Sequence, residues 1–485
     1  MIKFEGKILQ FGFGAVGKSF FEKLGNEIIY DENKYYVITR DKTEFEAYIN
    51  MGGIASNFYT SDINKANFEE IFSKFIGEGD ILIDFADTVG TKDILIWCAE
   101  NNIMYLNTGE ADWPENWYNI FEEFLKKKAL INSYKEKREY NKYPIVLHHG
   151  NNPGLVSHFV KAAIEYIVLK QFKSDKNLKK LLKENKFNEI AKSIGIRMIH
   201  VNDIDLQKTN FNYIDNNLSN TWCIDSFFFE LLSEATQNLG THEDVSNLDF
   251  KALDKERGFL EYKKLAFDLK CGTYYPNGYF NGYLVPHEET ITIASSLEVI
   301  EDDKVIYRPS TMFIYKPCSL AEEYLSKSKV NSYPDFDINK PLDDNEKIVR
   351  GHIYPFDSEI LYKEKIKEGT EYVGVLILGD KFDPVWVGNR VELSFLYKKK
   401  NSYWQTPTIT PVAMSALSAL CWMIKNKEKG GIYFPENIDD YKYIIKKSEK
   451  YISKTIYKTF KRNLIEEKLN IDFSNIQTKD FIIKE

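Results

Sequence analysis

Cysteine is scarce and irregularly placed. The five residues Cys98, Cys223, Cys271, Cys318 and Cys421 are odd in number, far apart and without a C-x-x-C pair. This spacing excludes a disulfide framework and a cysteine zinc site, and it fits a reducing compartment. Long apolar runs are missing as well. The longest, Val412 to Ile424, is too short and too rich in serine to span a bilayer. The N-terminus enters an apolar strand pattern at once, so no signal peptide is expected. A positive excess is also lacking, because 64 Lys and Arg stand against 72 Asp and Glu, for a formal net charge of −8. That balance argues against a nucleic-acid partner and is compatible with a cationic ligand. There is no internal repeat and no low-complexity tract. The expectation is a soluble, cytoplasmic protein with neither a membrane nor a nucleic-acid partner.

What is present fits a globular chain of two or three domains: 485 residues, 43% hydrophobic and 15% aromatic. The most informative segment is Lys7 to Gly17, where Gly12, Gly14 and Gly17 form a G-x-G-x-x-G between an apolar strand and a helical pattern. The first glycine permits the tight turn, the second lets a pyrophosphate approach the backbone, and the third lets helix and strand pack closely. The helix N-terminus, with Ala15 and Val16, then offers unpaired N–H groups to phosphates. A dinucleotide site is expected here. The next strand, Tyr35 to Arg40, lacks the acid that usually meets the ribose hydroxyls. Thr39 or Asp41 would serve the ribose, or Arg40 would pair with a 2′-phosphate, so NAD and NADP both stay open.

Residues 1 to about 150 alternate strands (7–11, 35–39, 81–86, 103–107, 144–148) with helical patterns (15–25, 65–76, 90–101, 115–138). This predicts a doubly wound parallel sheet with right-handed crossovers and ligands at the carboxyl strand ends. From 196 to 400 strand-like segments dominate, at 196–201, 219–224, 280–286, 290–300, 305–316, 372–379 and 384–396. The fold class expected is α/β: an N-terminal Rossmann domain over 1–152, and an α+β domain on a mixed or antiparallel sheet over 153–404. A C-terminal helical segment over 405–485, packing back on the Rossmann domain, completes it. Residues 170–192 read as a solvated Lys-rich helix, 325–350 as a polar surface loop, and 411–426 as a helix docked on a core.

Several segments follow in a particular order: Gly150-Asn-Asn-Pro-Gly-Leu-Val-Ser-His-Phe-Val-Lys161, Gly195 to Gln207, Asn220-Thr-Trp-Cys-Ile-Asp225, Gly240-Thr-His-Glu243, Gly282 to Ala294, and Gly374-Val-Leu-Ile-Leu378. With the glycine turn, they resemble the bacterial homospermidine synthases of the saccharopine-dehydrogenase-like group, over roughly residues 5 to 430. The resemblance implies an NAD-dependent homodimer that joins two putrescines into homospermidine and releases ammonia. Bound NAD would act as a hydride shuttle without net redox change. Spermidine is a larger alternative substrate.

Site residues are implied by the same resemblance. Trp222 would hold its indole face against an iminium by cation–π attraction, and His287 would accept a proton from the amine. Asp87, Glu110, Asn152, Asp203, Glu230, Glu289 and Glu371 would meet the ammonium groups, which are costly to bury unpaired. Gly12, Gly14, Ala15, Val16, Gly17, Thr39, Asp41, Asp87, Thr108, Asn152 and Pro153 would hold the dinucleotide. This chain departs from the family at Asp203, where Glu is usual, and at Gly109-Glu-Ala-Asp-Trp-Pro114, where either Glu110 or Asp112 supplies the acid. His148 and His149 lie on opposite faces of a strand end and cannot chelate one ion, so no metal is expected. Arg197, Arg308 and Arg390 leave room for a substrate carboxylate. The rival readings are a carboxynorspermidine or saccharopine-type dehydrogenase with net redox and, more remotely, a non-catalytic dinucleotide sensor.

Overall fold

The computed structural model describes all residues except 87–88, 114–141, 216, 328–345, 350–351, 356, 363, 399–403 and 484–485. The chain forms two compact units: Met1–Leu155 with Leu396–Ile452, and Val156–Phe395 with Ser453–Glu485.

The first unit is built on a seven-stranded sheet. Its order is Ile432–Tyr433, Ile145–Val146, Met104–Asn107, Ile81–Asp84, Ile8–Phe11, Tyr35–Thr39 and Phe58–Thr60. Every pairing is parallel. The three central strands are buried at every position, which is why they read as continuous apolar runs rather than alternating ones. The helices Ala15–Leu24, Phe68–Ser73 and Thr91–Glu100 occupy the expected places, while the helix expected at 115–138 lies outside the described residues. In the Rossmann order the crevice falls between the Ile8–Phe11 and Ile81–Asp84 strands, where the direction of winding reverses. The Ile409–Lys425 helix, buried along almost its whole length, belongs to this unit.

The second unit carries a ten-stranded mixed sheet. Its main path runs Phe250–Asp254, Phe259–Leu265, Glu234–Asn238, Ser310–Lys316, Ile196–Asp205, Thr370–Gly379, Val385–Glu392, Ile456–Thr459. The hairpin Lys270–Tyr275 and Gly278–Leu284 pairs onto Ser310–Lys316. Ser310–Lys316 and Ile196–Asp205 run parallel, with Tyr315 opposite Asp203. Thr370–Gly379 runs antiparallel to Ile196–Asp205, with Glu371 opposite Asp205. Met198, Ile204, Met312, Ile314, Leu376 and Leu378 share a core with the C-terminal Ile465, Phe473 and Phe481. Because side chains alternate along a strand, Asp203, Asp205, Phe313, Tyr315 and Glu371 belong to the opposite face.

Four expectations are corrected. Of residues 290–300, expected as a strand, those up to Ser296 belong to the helix Glu289–Ser296, whose first six residues are buried, and the strand is confined to Val299–Glu301. The 219–224 segment is a strand only over Asn217–Asn220; Trp222 lies in the turn before the helix Ile224–Leu231. The 170–192 region is not one solvated helix. After Leu155–Gln171 come two amphipathic helices, Lys176–Lys183 and Phe187–Ile194, which bury Leu178, Leu181, Phe187, Ile190 and Ile194. The 405–485 segment is shared between the units: residues up to 452 stay with the Rossmann sheet, and Ile456–Thr459 joins the second sheet beside Val385–Glu392. Most of the loop expected at 325–350 lies outside the described residues, and its end, Glu346–Val349, is a strand paired with His352–Pro355.

Candidate active site

The three turn glycines have three different surroundings. Gly12 has φ +87°, and a Cβ there would lie 2.8 Å from the Phe85 carbonyl carbon and 2.9 Å from the Ala86 nitrogen. Gly17 has no room either: a Cβ would meet Gln10 Nε2 and the Gly12 oxygen, both at 2.6 Å. Gly14 faces open space, with nothing within 4 Å of the point a Cβ would occupy. It is also the N-cap of the Ala15–Leu24 helix. A tight turn, a close helix–strand contact and an open cradle at a helix N-terminus are what a pyrophosphate needs, so these residues fit a dinucleotide.

At the end of the next strand Thr39 is buried and Arg40 is exposed. Asp41 is also exposed, and its Oδ1 accepts from the Thr43 N–H at 2.8 Å and the Thr43 hydroxyl at 2.6 Å. These bonds hold its carboxyl below the usual carboxylate range. Asp87 lies outside the described residues. Thr108 and Glu110 follow the Met104–Asn107 strand, and Glu110 takes its place against His148 Nε2 at 3.0 Å. Asp112, the alternative acid, is buried and caps the Trp113 N–H at 2.8 Å. Asn152 and Pro153, joined by a cis bond, form the turn at Gly150–Gly154, whose two glycines bridge. His148 and His149 turn to different partners, Glu110 and Ser415. His149 is wholly buried, and its pKa is pushed down to about 4 by burial.

The second unit gathers its own set. The Ile196–Asp205, Ser310–Lys316 and Thr370–Gly379 strands bring Asp203, Tyr315 and Glu371 to one face by register. Trp222 joins them, its Nε1 donating to the Tyr315 hydroxyl at 2.9 Å. The Trp222, Phe227 and Tyr315 rings form an edge-to-face trio with centroids 6.3 Å apart. Beneath them Thr221 donates to Asp205 Oδ2 at 2.6 Å. Burial raises the Asp205 carboxyl, and the bonds from Thr221 and Gln207 oppose it. The Tyr315 phenol is held far above its ordinary range, by burial first and then by Asp203 and Asp205.

Two residues along the same strand, His287 stacks on Phe313 with centroids 4.1 Å apart and planes 10° apart. Its Nδ1 is hydrogen-bonded to Glu289, and its Nε2 lies 3.5 Å from Glu230. Burial alone would lower the imidazole pKa; the two carboxylates override it and hold it well above the ordinary histidine value. Burial raises the Glu230 and Glu289 carboxyls, with the imidazole opposing. Glu289 is fully buried, and its Oε1 has no hydrogen-bond partner among the described residues. His287, expected as a proton acceptor, thus stands between two carboxylates that favour its protonated form. His287, Glu288 and Glu289 also present ligand atoms within 4.8 Å of one another, a spacing that an ion would accept.

The second unit thus brings together Asp203, Trp222 and Glu371 around Tyr315, and Glu230, His287 and Glu289 around Phe313. Asp205, Phe313 and Tyr315 were missed from the sequence. The period-two alternation of Ser310 to Lys316 was the available signal, because it puts Phe313 and Tyr315 on one face. The arginines considered for a substrate carboxylate are engaged elsewhere. Arg197 pairs with Asp380 at 3.5 Å, Arg308 with Glu298 at 2.9 Å and Arg390 with Glu392 at 2.5 Å.

Comparison with known proteins agrees with these two units. Residues 8–142 match the family described as saccharopine dehydrogenase NADP binding domain. Homospermidine synthase from Mesorhizobium japonicum is 23% identical over 465 residues, covering 92% of this chain and 89% of the relative. The enzyme of that name from Blastochloris viridis is 23% identical, covering 88% of this chain and 86% of its own. Among solved structures, homospermidine synthase from Legionella pneumophila in complex with NAD aligns with a TM-score of 0.82 at 23% identity, covering 100% of this chain and 99% of the other. Saccharopine dehydrogenase (L-Glu forming) from Saccharomyces cerevisiae aligns with a TM-score of 0.51 at 10% identity, covering 94% and 100%. Among the described residues no helix is long and apolar enough to cross a membrane. The resemblance expected from the ordered motifs is therefore borne out: the chain is similar to homospermidine synthases across about nine-tenths of its length, and its residues 8–142 match the saccharopine dehydrogenase NADP binding domain.

Proposed function

We propose that this protein condenses two putrescines into homospermidine and ammonia, with bound NAD as a hydride shuttle. The observation that carries the reading is the single sheet face of the second unit, where buried carboxylates and an indole stand together. A buried ammonium demands carboxylate partners; Asp203 and Glu371 supply them on that face, and Glu230 adds another from the Ile224–Leu231 helix. Full-length similarity to homospermidine synthases supports the same substrate class.

NAD, when bound, takes a hydride from an amine-bearing carbon and later returns it to the new carbon–nitrogen bond. Gly14 and the N-terminus of the Ala15–Leu24 helix would hold its pyrophosphate, with Thr39 or Asp41 at the ribose and Thr108, Asn152 and Pro153 nearby in sequence to strand ends. The Trp222 indole stabilises positive charge on the amine carbon, and Tyr315 fixes the plane of that indole. The substrate ammonium must lose a proton before its carbon becomes a hydride donor. Glu230 and Glu289, whose carboxyls are raised by burial, are suited to accept it. His287, hydrogen-bonded to Glu289 and close to Glu230, orients both, and its raised pKa favours the charged form that balances theirs. Ammonia leaves when the second amine replaces it at the same carbon, so atoms balance without external oxidant.

Engagement of Arg197, Arg308 and Arg390 with acidic partners gives no support to a carboxylated substrate. A homodimer and a cytoplasmic location belong to this proposal through the family resemblance; light scattering on the purified protein tests the first. The reaction is tested by product analysis. Two putrescines consumed per homospermidine, one ammonia released and no accumulation of NADH are expected. Stoichiometric NADH would replace the shuttle with a simple dehydrogenase, and identification of the dinucleotide released on denaturation decides between NAD and NADP.

A further inference from the structure

Trp222 is only half-buried and stands in a turn, so packing alone does not set the plane of its indole. Among the described residues neither Thr221 nor Trp222 makes a backbone–backbone hydrogen bond. The turn between the Asn217–Asn220 strand and the Ile224–Leu231 helix is held by side chains instead. One bond is that of the indole Nε1 to the Tyr315 hydroxyl. The other is made one residue earlier, where the wholly buried Thr221 hydroxyl donates to Asp205 Oδ2 at 2.6 Å. That length is typical of a hydroxyl donating to a carboxylate.

Asp205 is itself rigidly placed. It closes the Ile196–Asp205 strand, which is paired on both sides in the middle of the sheet. Its Oδ1 accepts from the Gln207 N–H at 2.8 Å and from Gln207 Nε2 at 3.0 Å. The residue is buried, and no cationic side chain among the described residues pairs with it. A buried carboxylate without a cation is costly, and the three donors from Thr221 and Gln207 offset part of that cost. The two anchors of the turn come from adjacent strands, because Tyr315 stands opposite Asp203, two residues before Asp205. One anchor fixes the indole nitrogen and the other fixes the chain just before the ring. Two fixed points set a plane that either alone would leave free to rock.

We infer that Asp205, acting through Thr221, is a positioning residue for Trp222 and holds the turn that presents the indole face to the substrate cation. The inference rests on the role proposed above for Trp222, but the anchoring itself can be read without turnover.

Two readouts on the full-length protein test it: the Trp222 indole N–H signal in the NMR spectrum, assigned by its absence in Trp222→Phe, and kcat and KM for putrescine. Thr221→Val keeps the shape and removes the hydroxyl. It is expected to shift or broaden the Trp222 signal and to lower kcat by about tenfold, with KM and dinucleotide content near wild type. Thr221→Ser keeps the hydroxyl and should restore both readouts. Asp205→Asn, left with one acceptor oxygen for the same donors, should move the signal in the same way and carries the test should Thr221→Val fold poorly. An unchanged Trp222 signal in folded Thr221→Val or Asp205→Asn overturns the inference. So does a raised KM at wild-type kcat, or a loss of kcat that Thr221→Ser does not recover. If the signal moves while Trp222→Ala keeps the wild-type rate, the anchoring of Trp222 is upheld and its role in the reaction is what falls.

Discussion

The indole N–H of Trp222 donates to the Tyr315 hydroxyl at 2.9 Å, with the two rings edge to face. The bond fixes which way the indole face points, so the two residues act as one unit. A desolvated cation–π contact is on the order of 2 kcal/mol, which is roughly thirtyfold in rate. Trp222→Ala is expected to lose about that factor in kcat, and Trp222→Phe clearly less. Tyr315→Phe removes only a hydrogen bond, of about 1 kcal/mol, and should slow kcat severalfold with little change in KM. In the Trp222→Phe background Tyr315→Phe should cost nothing further, because phenylalanine has no N–H to hold. An additive double variant would show that Tyr315 does not act through Trp222.

Gly14 and Gly17 stand three residues apart and predict opposite phenotypes. A side chain at Gly14 enters open space, so Gly14→Val should fold with a melting temperature near that of cofactor-free wild type and yet retain no dinucleotide. A side chain at Gly17 meets Gln10 and Gly12 at 2.6 Å, so Gly17→Val should be destabilised by about 1–3 kcal/mol through overpacking. Denaturant melts and quantification of released dinucleotide separate the two. Full cofactor retention in Gly14→Val would move the binding site elsewhere.

The Rossmann half was legible because its signals are local: buried strands read as apolar runs, and the glycine turn announces the first crossover. Its edge strand Ile432–Tyr433 was not, because two residues from a distant part of the chain carry no period. The run Thr290-Ile-Thr-Ile293 has strand propensity, yet it is helical because burial on both sides against the neighbouring strands outweighs intrinsic preference. In the site, Asp203, Trp222 and Glu371 could be named from motifs. That Tyr315 joins them could not, because it depends on the pairing of Ser310–Lys316 with Ile196–Asp205, a register set by strands more than a hundred residues apart.

Asp203 and Glu371 are both almost fully buried on the same sheet face, at 7% and 2% exposure. An ammonium held by a buried carboxylate loses about 2–5 kcal/mol when that partner is neutralised. Asp203→Asn and Glu371→Gln should each raise the putrescine KM by roughly thirtyfold or more while the dinucleotide content stays at the wild-type level. Unchanged KM with an altered melting temperature would make either residue structural.

Thiol reactivity gives a check on the fold around Trp222. Cys98, Cys271, Cys318 and Cys421 are buried, and burial pushes all four thiols up, Cys421 to about 12. Cys223 alone is partly exposed, next to Trp222. One thiol should therefore react with an aromatic disulfide reagent in the native protein at neutral pH, and five in denaturant. Putrescine should slow the single native reaction. More than one fast native thiol would contradict the packing described.

His287 makes stability depend on pH with a definite sign. Burial works to lower its pKa, but Glu289 and Glu230 prevail, and the folded value lies well above the unfolded one, which is about 6.5. The native state thus holds this proton more tightly than the unfolded chain, so its contribution is fully present below about pH 6.5 and is lost as pH rises through the folded value. The buried Glu230 and Glu289 carboxyls, also raised, act in the same direction from a lower starting pH. The stability difference between wild type and His287→Gln, measured by urea denaturation, should be largest below about pH 6.5 and shrink above it. A difference that grows with rising pH would mean that the native imidazole is neutral. In that case His287 regains a lone pair for the substrate proton, and the task assigned to Glu230 and Glu289 reverts to it.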